Sequence, residues 1–217
     1  MNLSLLATMS LSLLMGFQGD AGDTETGVGL VQGAPGATRD LEFHAGPIRF
    51  YSSPTSGEAY WYMTYEVVNR GKSNEIWAPR FELLEDGGRV LRSGRDVPPE
   101  IREELLQLVQ PRSADGNAKI EDQFSVLGPI MPGDSGAKNG VVIWIAGHPD
   151  PAQHLRTSSL TLFIRGISRE TTVVNDPLTG KPVTLYRQLH REYSVPGDHT
   201  LRGTNAATMV SQEWIDR

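Results

Sequence analysis

The sequence predicts an all-β protein, an antiparallel β-sandwich of about seven or eight strands with one inserted helix at about residues 97–110. Three observations support this fold class. Short runs of apolar residues repeat with the two-residue period of strands, turn-forming residues separate them, and only one segment shows helical spacing. Because parallel strands need long crossover connections, a chain with almost no helices favours antiparallel sheets.

The first predicted strand covers residues 61–68, where bulky side chains alternate with their neighbours. A second strand follows at 76–84 and contains Pro79, which indicates an edge strand or a bulge because proline cannot donate a ladder hydrogen bond. The Glu-Asp-Gly-Gly turn at 85–88 joins this strand to residues 89–92. We therefore expect a hairpin here.

Residues 97–110 break the strand pattern and predict the inserted helix. Asp96 is its candidate N-cap, and Pro98 and Pro99 fall in the first turn, where proline is tolerated. Apolar residues then recur at helical spacing on one face: Ile101, Leu105, Leu108 and Val109. The helix should pack through this single stripe and end before Pro111.

The last strands lie in the C-terminal half. Residues 141–146 are apolar at every position, which predicts a central strand buried on both faces. Residues 160–164 are assigned as its pairing partner. A final hairpin runs from 171–174 through the turn 175–180 into a strand that reaches Val195.

The N-terminus predicts export to the periplasm or the extracellular space. Residues 1–21 resemble a signal peptide, since an apolar run shorter than a membrane span ends in small residues at Gly19 and Ala21. No Lys or Arg precedes the run, so an N-terminal anchor or a buried helix stays open. Residues 22–40 are a flexible Gly-rich leader, 41–200 the sandwich domain and 201–217 a C-terminal tail. No membrane span is expected once the signal is cleaved.

Charge and cysteine content argue against several classes of partner and site. The formal net charge is −6, and the 20 basic residues are scattered among 26 acidic ones, which argues against nucleic acid or an anionic membrane as partner. The chain has no cysteine, so disulfides, thiolate metal sites and cysteine nucleophiles are excluded. The hydrophobic core must therefore stabilise one domain without covalent crosslinks.

Several of these elements resemble a known group of domains. An aromatic strand ends in Val67-Val68-Asn69, Pro79-Arg80-Phe81-Glu82-Leu83 precedes Asp86-Gly87-Gly88, and Pro132-Gly133 leads into Gly140-Val141-Val142-Ile143-Trp144. This succession resembles bacterial extracytoplasmic immunoglobulin-like domains of unknown function over about half of the chain. The resemblance implies an immunoglobulin-like sandwich used in adhesion, sensing or accessory binding, with no catalytic residue to transfer.

The strongest catalytic motif is Gly133-Asp134-Ser135-Gly136, which matches the nucleophile loop of chymotrypsin-like proteases. His44 and either Asp86 or Asp96 precede Ser135 in a compatible order. Ala137-Lys138 follows the loop instead of Gly-Pro, however, and His44 lies too early for the strands that should precede it. A Pro-Gly turn before a buried strand explains the same residues, and a secreted hydrolase is the alternative function.

No cofactor or metal site is expected. None of the five histidines (His44, His148, His154, His190 and His199) is paired at the spacing that places two imidazoles on one face of a helix or strand. His148 and His154 fall together in a proline-containing loop, where a polar surface is the simpler account. A catalytic pair of carboxylates would meet only in three dimensions, so the sequence assigns none.

Aromatic residues offer a binding hypothesis. Tyr60 and Tyr62 lie on the strand face opposite Trp61, where they would form a platform for a sugar or a peptide if exposed. The preferred interpretation is that the inserted helix or the tail covers them, with Trp214-Ile215 docked on the domain. Taken together, the sequence predicts an exported, non-catalytic binding or structural module whose partner is an unknown protein or carbohydrate of the cell envelope.

Overall fold

The computed structural model describes residues 41–110, 119–146, 157–195, 197 and 205–217. Thirteen strands and one α-helix lie in these residues, which confirms the all-β class with an inserted helix. The strands are β1 (Leu41–Ala45), β2 (Arg49–Ser52), β3 (Ala59–Asn69), β4 (Glu75–Trp77), β5 (Arg80–Glu85), β6 (Val90–Arg92), β7 (Ile120–Asp122), β8 (Gly128–Ile130), β9 (Lys138–Ile145), β10 (Ser159–Arg165), β11 (Thr171–Asn175), β12 (Pro182–Ser194) and β13 (Thr208–Asp216). The helix is α1 (Pro99–Val109).

The strand number exceeds the predicted seven or eight because several strands have only three to five residues, too few to show an alternating pattern. Pro79 separates β4 from β5, and these two strands belong to different sheets. The helix begins one residue after Pro98, which is its N-cap and makes no side-chain cap bond. Asp96 is therefore not the N-cap, since it lies two residues earlier in a left-handed conformation with φ of 61°.

The first large sheet has five strands. β1 and β2 pair with the two halves of β3, β3 pairs with β9, and β9 pairs with β7. The β7–β9 pair is parallel, which departs from the predicted antiparallel arrangement. Gly46 lies at the turn between β1 and β2, where a Cβ would stand 2.7 Å from Oγ1 of Thr64.

The second large sheet has six strands, with β6, β5, β10 and β12 side by side. β12 also pairs with β13 and, through its first half, with β11. The assignment of residues 160–164 as the partner of the central strand is wrong, because β10 pairs with β5 and β12 in this sheet while β9 lies in the other. The two hairpins β5–β6 and β11–β12 are confirmed.

One contiguous apolar core contains residues of both large sheets. Its three tryptophans are almost fully buried, and each indole N–H has an acceptor. Trp61 donates to Glu85 at 3.2 Å, Trp77 to the hydroxyl of Tyr65 at 3.2 Å, and Trp144 to the carbonyl of Phe81 at 3.4 Å. The core therefore buries large aromatic surface without leaving these polar groups unpaired.

A second cluster lies between α1 and the outer face of the five-stranded sheet. Its members come from the helix stripe and from the sheet: Tyr60, Tyr62, Val97, Ile101, Leu105, Val109, Ile120, Val141 and Ile143. β9 is consequently buried on both faces, since Val142 and Trp144 lie in the main core while Val141 and Ile143 face the helix. This confirms the central strand predicted at 141–146.

Residues 208–216 of the segment assigned as a tail form β13, which adds a strand beside β12. Trp214 lies opposite Leu189 in this pair and remains 41% exposed. Among the described residues, no helix combines the length and the apolar character needed to cross a membrane.

Candidate functional site

The Gly-Asp-Ser-Gly motif forms a short 3-10 turn at Asp134–Gly136. Gly133 adopts a φ of 85° and donates its N–H to the carbonyl of Asn69 at 2.8 Å. A Cβ at Gly136 would lie only 2.3 Å from the carbonyl oxygen of Met131. Backbone geometry therefore explains both glycines of the motif without a catalytic role for Ser135, which is exposed.

A series of side-chain contacts connects His44 to this turn, but it reaches Asp134 and not Ser135. His44 lies 3.0 Å from Glu42, Glu42 pairs with Arg70, and Arg70 lies 2.5 Å from Asp134. The hydrogen bond from Arg70 lowers the pKa of the Glu42 carboxyl although partial desolvation opposes it. Because these side chains are largely exposed, the chain of charges forms a surface network.

The two candidate aspartates have other partners. Asp86 accepts hydrogen bonds from the backbone N–H and the hydroxyl of Ser158, at 2.6 and 2.7 Å. Partial burial alone would raise the pKa of Asp86, but these hydrogen bonds outweigh burial and lower it. Asp96 lies 3.5 Å from Arg95. In the described part of the chain, no hydrogen bond joins Ser135, His44 and an aspartate into a triad.

Metal-binding residues are not gathered in the described ranges, which contain no group of three or more His, Asp or Glu side chains able to hold one ion. His44 is exposed and His190 is half-buried, and each lies near a glutamate. His148, His154 and His199 lie outside the described residues.

Tyr60 and Tyr62 do not form an exposed platform, because α1 covers them and leaves 0% and 4% of their surfaces exposed. The expectation that this face is covered is confirmed, and α1 is the cover; the segment assigned as a tail pairs with β12 instead, and its Trp214 is 41% exposed. Tyr60 donates to Glu58 at 2.7 Å, and Tyr51 at the rim of the helix donates to Glu104 at 2.9 Å. Desolvation and these carboxylates raise the pKa of both Tyr51 and Tyr60 to about 12.

An arginine-lined surface that the sequence reasoning missed surrounds β6. A depression of about 390 Å³ is lined by Glu82, Val90, Arg92, Arg95 and Arg217. Two adjoining depressions, of about 420 and 170 Å³, also have Arg92 and Arg95 in their walls. We call these three depressions together the arginine groove.

The arginine groove is strongly basic. Its walls carry five arginines and two acidic residues: Arg80, Arg89, Arg92, Arg95, Arg217, Glu82 and Asp96. The formal charge is therefore +3 in a chain whose net charge is −6. Such a local reversal of sign concentrates positive potential at one site and attracts anions.

Three structural elements position these arginines. Arg92 lies opposite Glu82 in the β5–β6 pair, with 3.8 Å between their side chains. Arg217 extends from the end of β13 across the sheet, donates to Glu82 at 3.0 Å and stacks 4.4 Å above the ring of Phe163. Arg95 follows Gly94, whose φ of 71° turns the chain after β6. Glu82 thus orients the guanidinium groups of Arg92 and Arg217.

The arginines of the groove carry more hydrogen-bond donors than the described residues accept. Nη1 of Arg89 is buried and has no acceptor among the described residues. Arg92 and Arg95 are 62% and 68% exposed, so their planar donor arrays face solvent. Arg89, Arg92 and Arg95 recur every third residue in the sequence, and this local repeat is the signal that could have indicated the site.

In comparisons with known proteins, no protein-family model, curated protein or solved structure matches this chain.

Proposed function

We propose that the protein is an exported, non-catalytic binding module with an immunoglobulin-like sandwich fold, and that its arginine groove binds an acidic carbohydrate of the cell envelope. The observation that carries this proposal is the groove itself, a cluster of exposed arginines with a formal charge of +3 on an acidic protein. The N-terminal apolar run at residues 1–21 supports the exported part of the proposal.

The chemistry of the groove favours a ligand that bears carboxylates or sulfates. Guanidinium groups bind oxyanions through two parallel hydrogen bonds, and such charge-assisted pairs are stronger than neutral ones. The carboxylate of Glu82 already occupies part of this donor set. A ligand anion would use the exposed donors of Arg92 and Arg95 that Glu82 and Asp96 do not occupy.

A carbohydrate suits the shape of the surface. The depressions adjoin one another along β6, and the two larger ones, of about 390 and 420 Å³, have the volume of small-ligand sites. The ring of Phe124 is 52% exposed at the wall of one depression, with the Arg102 guanidinium 5.0 Å from its centroid. The surface therefore combines cations with an aromatic face, as polar-rimmed ligand sites do.

The binding test uses polygalacturonate as the probe, with neutral dextran as the control polymer, and measures heats by isothermal titration calorimetry. We expect polygalacturonate to bind, and the double variant Arg92→Gln/Arg95→Gln to bind at least about tenfold more weakly, a loss of about 1.4 kcal/mol. The variant Lys72→Gln/Lys181→Gln removes the same charge from exposed positions outside the groove and should retain binding.

Equal losses in both double variants would show that net charge alone drives association, and the groove proposal would be wrong. Binding of polyglutamate without binding of polygalacturonate or a sulfated glycan would identify an acidic protein as the partner. Absence of binding to all three polymers would refute the anion-binding function.

Export is tested separately by mass spectrometry of the chain recovered from cell fractions. We expect a mature N-terminus near Gly22 in the periplasmic or extracellular fraction. An intact Met1 in the cytoplasm would contradict export while leaving the groove untouched.

The secreted-hydrolase alternative depends on activation of Ser135. No contact in the described residues favours it, since His44, Asp86 and Asp96 bond to other groups. Treatment with a fluorophosphonate should leave Ser135 unmodified, and covalent labelling at this residue would overturn the non-catalytic proposal.

A further inference from the structure

β13 is the longest edge strand among the described residues. It has nine residues, whereas β6 and β7, at other edges of the two large sheets, have three each. The edge formed by β1 and β2 is interrupted at Gly46-Pro47. Proteins protect edges by shortness, proline, bulges or charged side chains, lysine above all; β13 contains no proline or lysine, and its charged residues are Glu213 and Asp216. Its outer edge is thus the one best suited to pair with another strand.

The direction of the backbone groups on β13 follows from its pairing with β12. Tyr186 and Arg217 exchange two backbone hydrogen bonds, of 2.9 and 3.1 Å, so the backbone groups of Arg217 point toward β12. Alternate residues of an antiparallel strand point their N–H and C=O groups to opposite sides. Gln212, Trp214 and Asp216 therefore present these groups to the outer edge.

The residues of β13 before Gln212 are less available for pairing with an incoming strand. A register shift between Glu192 and Tyr193 marks a bulge in the pairing near Met209, and the N–H of Ala207, just before the strand, donates to the carbonyl of Ile48 at 2.8 Å. The bulge and this contact restrict an incoming strand to residues 212–216.

We propose that a second copy of this chain pairs with this edge, antiparallel to it and with Trp214 on the two-fold axis. In this register Trp214 faces its own copy, and Gln212 faces Asp216 of the copy, so every outward-pointing residue meets an outward-pointing partner. Glu213 lies opposite Ile215 of the copy. A register centred on Glu213 would instead place two like charges directly opposite each other, which is destabilising.

The apolar surface of β13 also supports pairing with a second copy of the chain. Trp214 is 41% exposed at the edge of the sheet, and directly opposed aromatic residues are favourable cross-strand pairs. An isologous two-fold contact is the usual way in which identical subunits associate. The pair would join two six-stranded sheets into one continuous sheet.

The two-fold axis of such a pair is perpendicular to the joined sheets, so the same sheet face of each copy points to the same side. If the proposed function holds, both arginine grooves would then face one polymer, and the second groove would bind at a high effective concentration. The dimer itself does not depend on the groove, and its test is independent of carbohydrate binding.

The first experiment uses the absence of cysteine in the chain. In the variant Trp214→Cys, the proposed register places the two introduced residues about 5.5 Å apart between Cα atoms, within disulfide range. We expect a covalent dimer under mild oxidation. The matched variant Ser211→Cys, whose copies would lie about 20 Å apart, should remain monomeric on a non-reducing gel. Equal crosslinking of both variants would indicate random collision and overturn the proposal.

The second experiment measures the mass of the cysteine-free chain by sedimentation at concentrations up to roughly 100 μM. We expect a dimer, and we expect the variant Gln212→Pro to be a monomer because proline removes an N–H that points away from β12. Far-ultraviolet circular dichroism should show the same strand content in both proteins. A wild-type chain that is monomeric over this range would refute the dimer, whatever the calorimetry of the groove shows.

Discussion

Aromatic side chains lie on the outer faces of both large sheets, but different residues cover them on each sheet. On the five-stranded sheet, Tyr60 and Tyr62 lie beneath α1 and are almost completely buried. On the six-stranded sheet, arginines cover the aromatic rings. Arg165 stacks 3.4 Å above the ring of Tyr186, and Arg217 stacks 4.4 Å above that of Phe163.

The difference shows how the same residue types serve two purposes. A helix contributes an apolar stripe that removes a face from water and makes it core. An arginine shields a ring with its planar guanidinium while its remaining donors stay available to solvent or ligand. The helix-covered face therefore stabilises the fold, and the arginine-covered face is the one on which we place binding.

The largest expected effect tests the helix-covered face. Leu105, on the face of α1 that packs against the sheet, is 0% exposed. Leu105→Ala should reduce the free energy of unfolding by about 2–5 kcal/mol because it leaves a cavity between helix and sheet. Urea denaturation measures this change. The control Leu178→Ala, at a residue 93% exposed in the β11–β12 turn, should stay within about 0.5 kcal/mol of wild type. Equal effects at both positions would contradict a buried helix face.

A smaller effect is expected at the rim of the helix. Glu104 accepts hydrogen bonds from Tyr51 and from Ser53, each at 2.9 Å. Glu104→Ala should lower the free energy of unfolding by less than Leu105→Ala does, because both hydroxyl groups lose their acceptor but remain near solvent. Glu103→Ala changes the neighbouring exposed residue of the same helix and serves as the control. Stability unchanged in Glu104→Ala would mean that the rim contacts do not hold the helix in place.

Alkaline pH should weaken the helix-covered face. The pKa values of Tyr51 and Tyr60 are raised from 10.0 to about 12, mainly by desolvation, so the folded state favours the neutral phenols. Their contribution to stability is complete below pH 10 and is lost as the pH rises from about 10 to about 12. Phenolate absorbance should show late-titrating groups that diminish in Tyr60→Phe. Titration of every tyrosine near pH 10 in the folded protein would contradict the buried environment.

The smallest effect is expected on the arginine-covered face. Arg165→Gln removes the cation from the ring of Tyr186 and should lower the unfolding free energy by only about 0.5–1 kcal/mol, since the ring is 38% exposed. Thermal unfolding followed by circular dichroism measures it, with Lys181→Gln as a control for the lost charge. A loss comparable to that of Leu105→Ala would erase the distinction between the two faces.

The sequence by itself determined the local elements. Helical spacing from Ile101 to Val109 located α1, turn residues located the β5–β6 and β11–β12 hairpins, and continuous apolar character located the doubly buried strand β9. These elements could be predicted because periodicity and turn chemistry depend on neighbours along the chain. The burial of Tyr60 and Tyr62 followed from the same reasoning, since an apolar helix stripe needs a face to cover.

Only the tertiary structure decided which strands pair and which charges meet. β9 and β10 are both apolar strands, and no local pattern reveals that they belong to different sheets. The arginine groove likewise joins Arg92 of β6 to Arg217 at the far end of the chain, through a shared contact with Glu82. Such contacts depend on the order of strands in a sheet, which is set by packing between residues distant in sequence, and a one-dimensional pattern does not contain it.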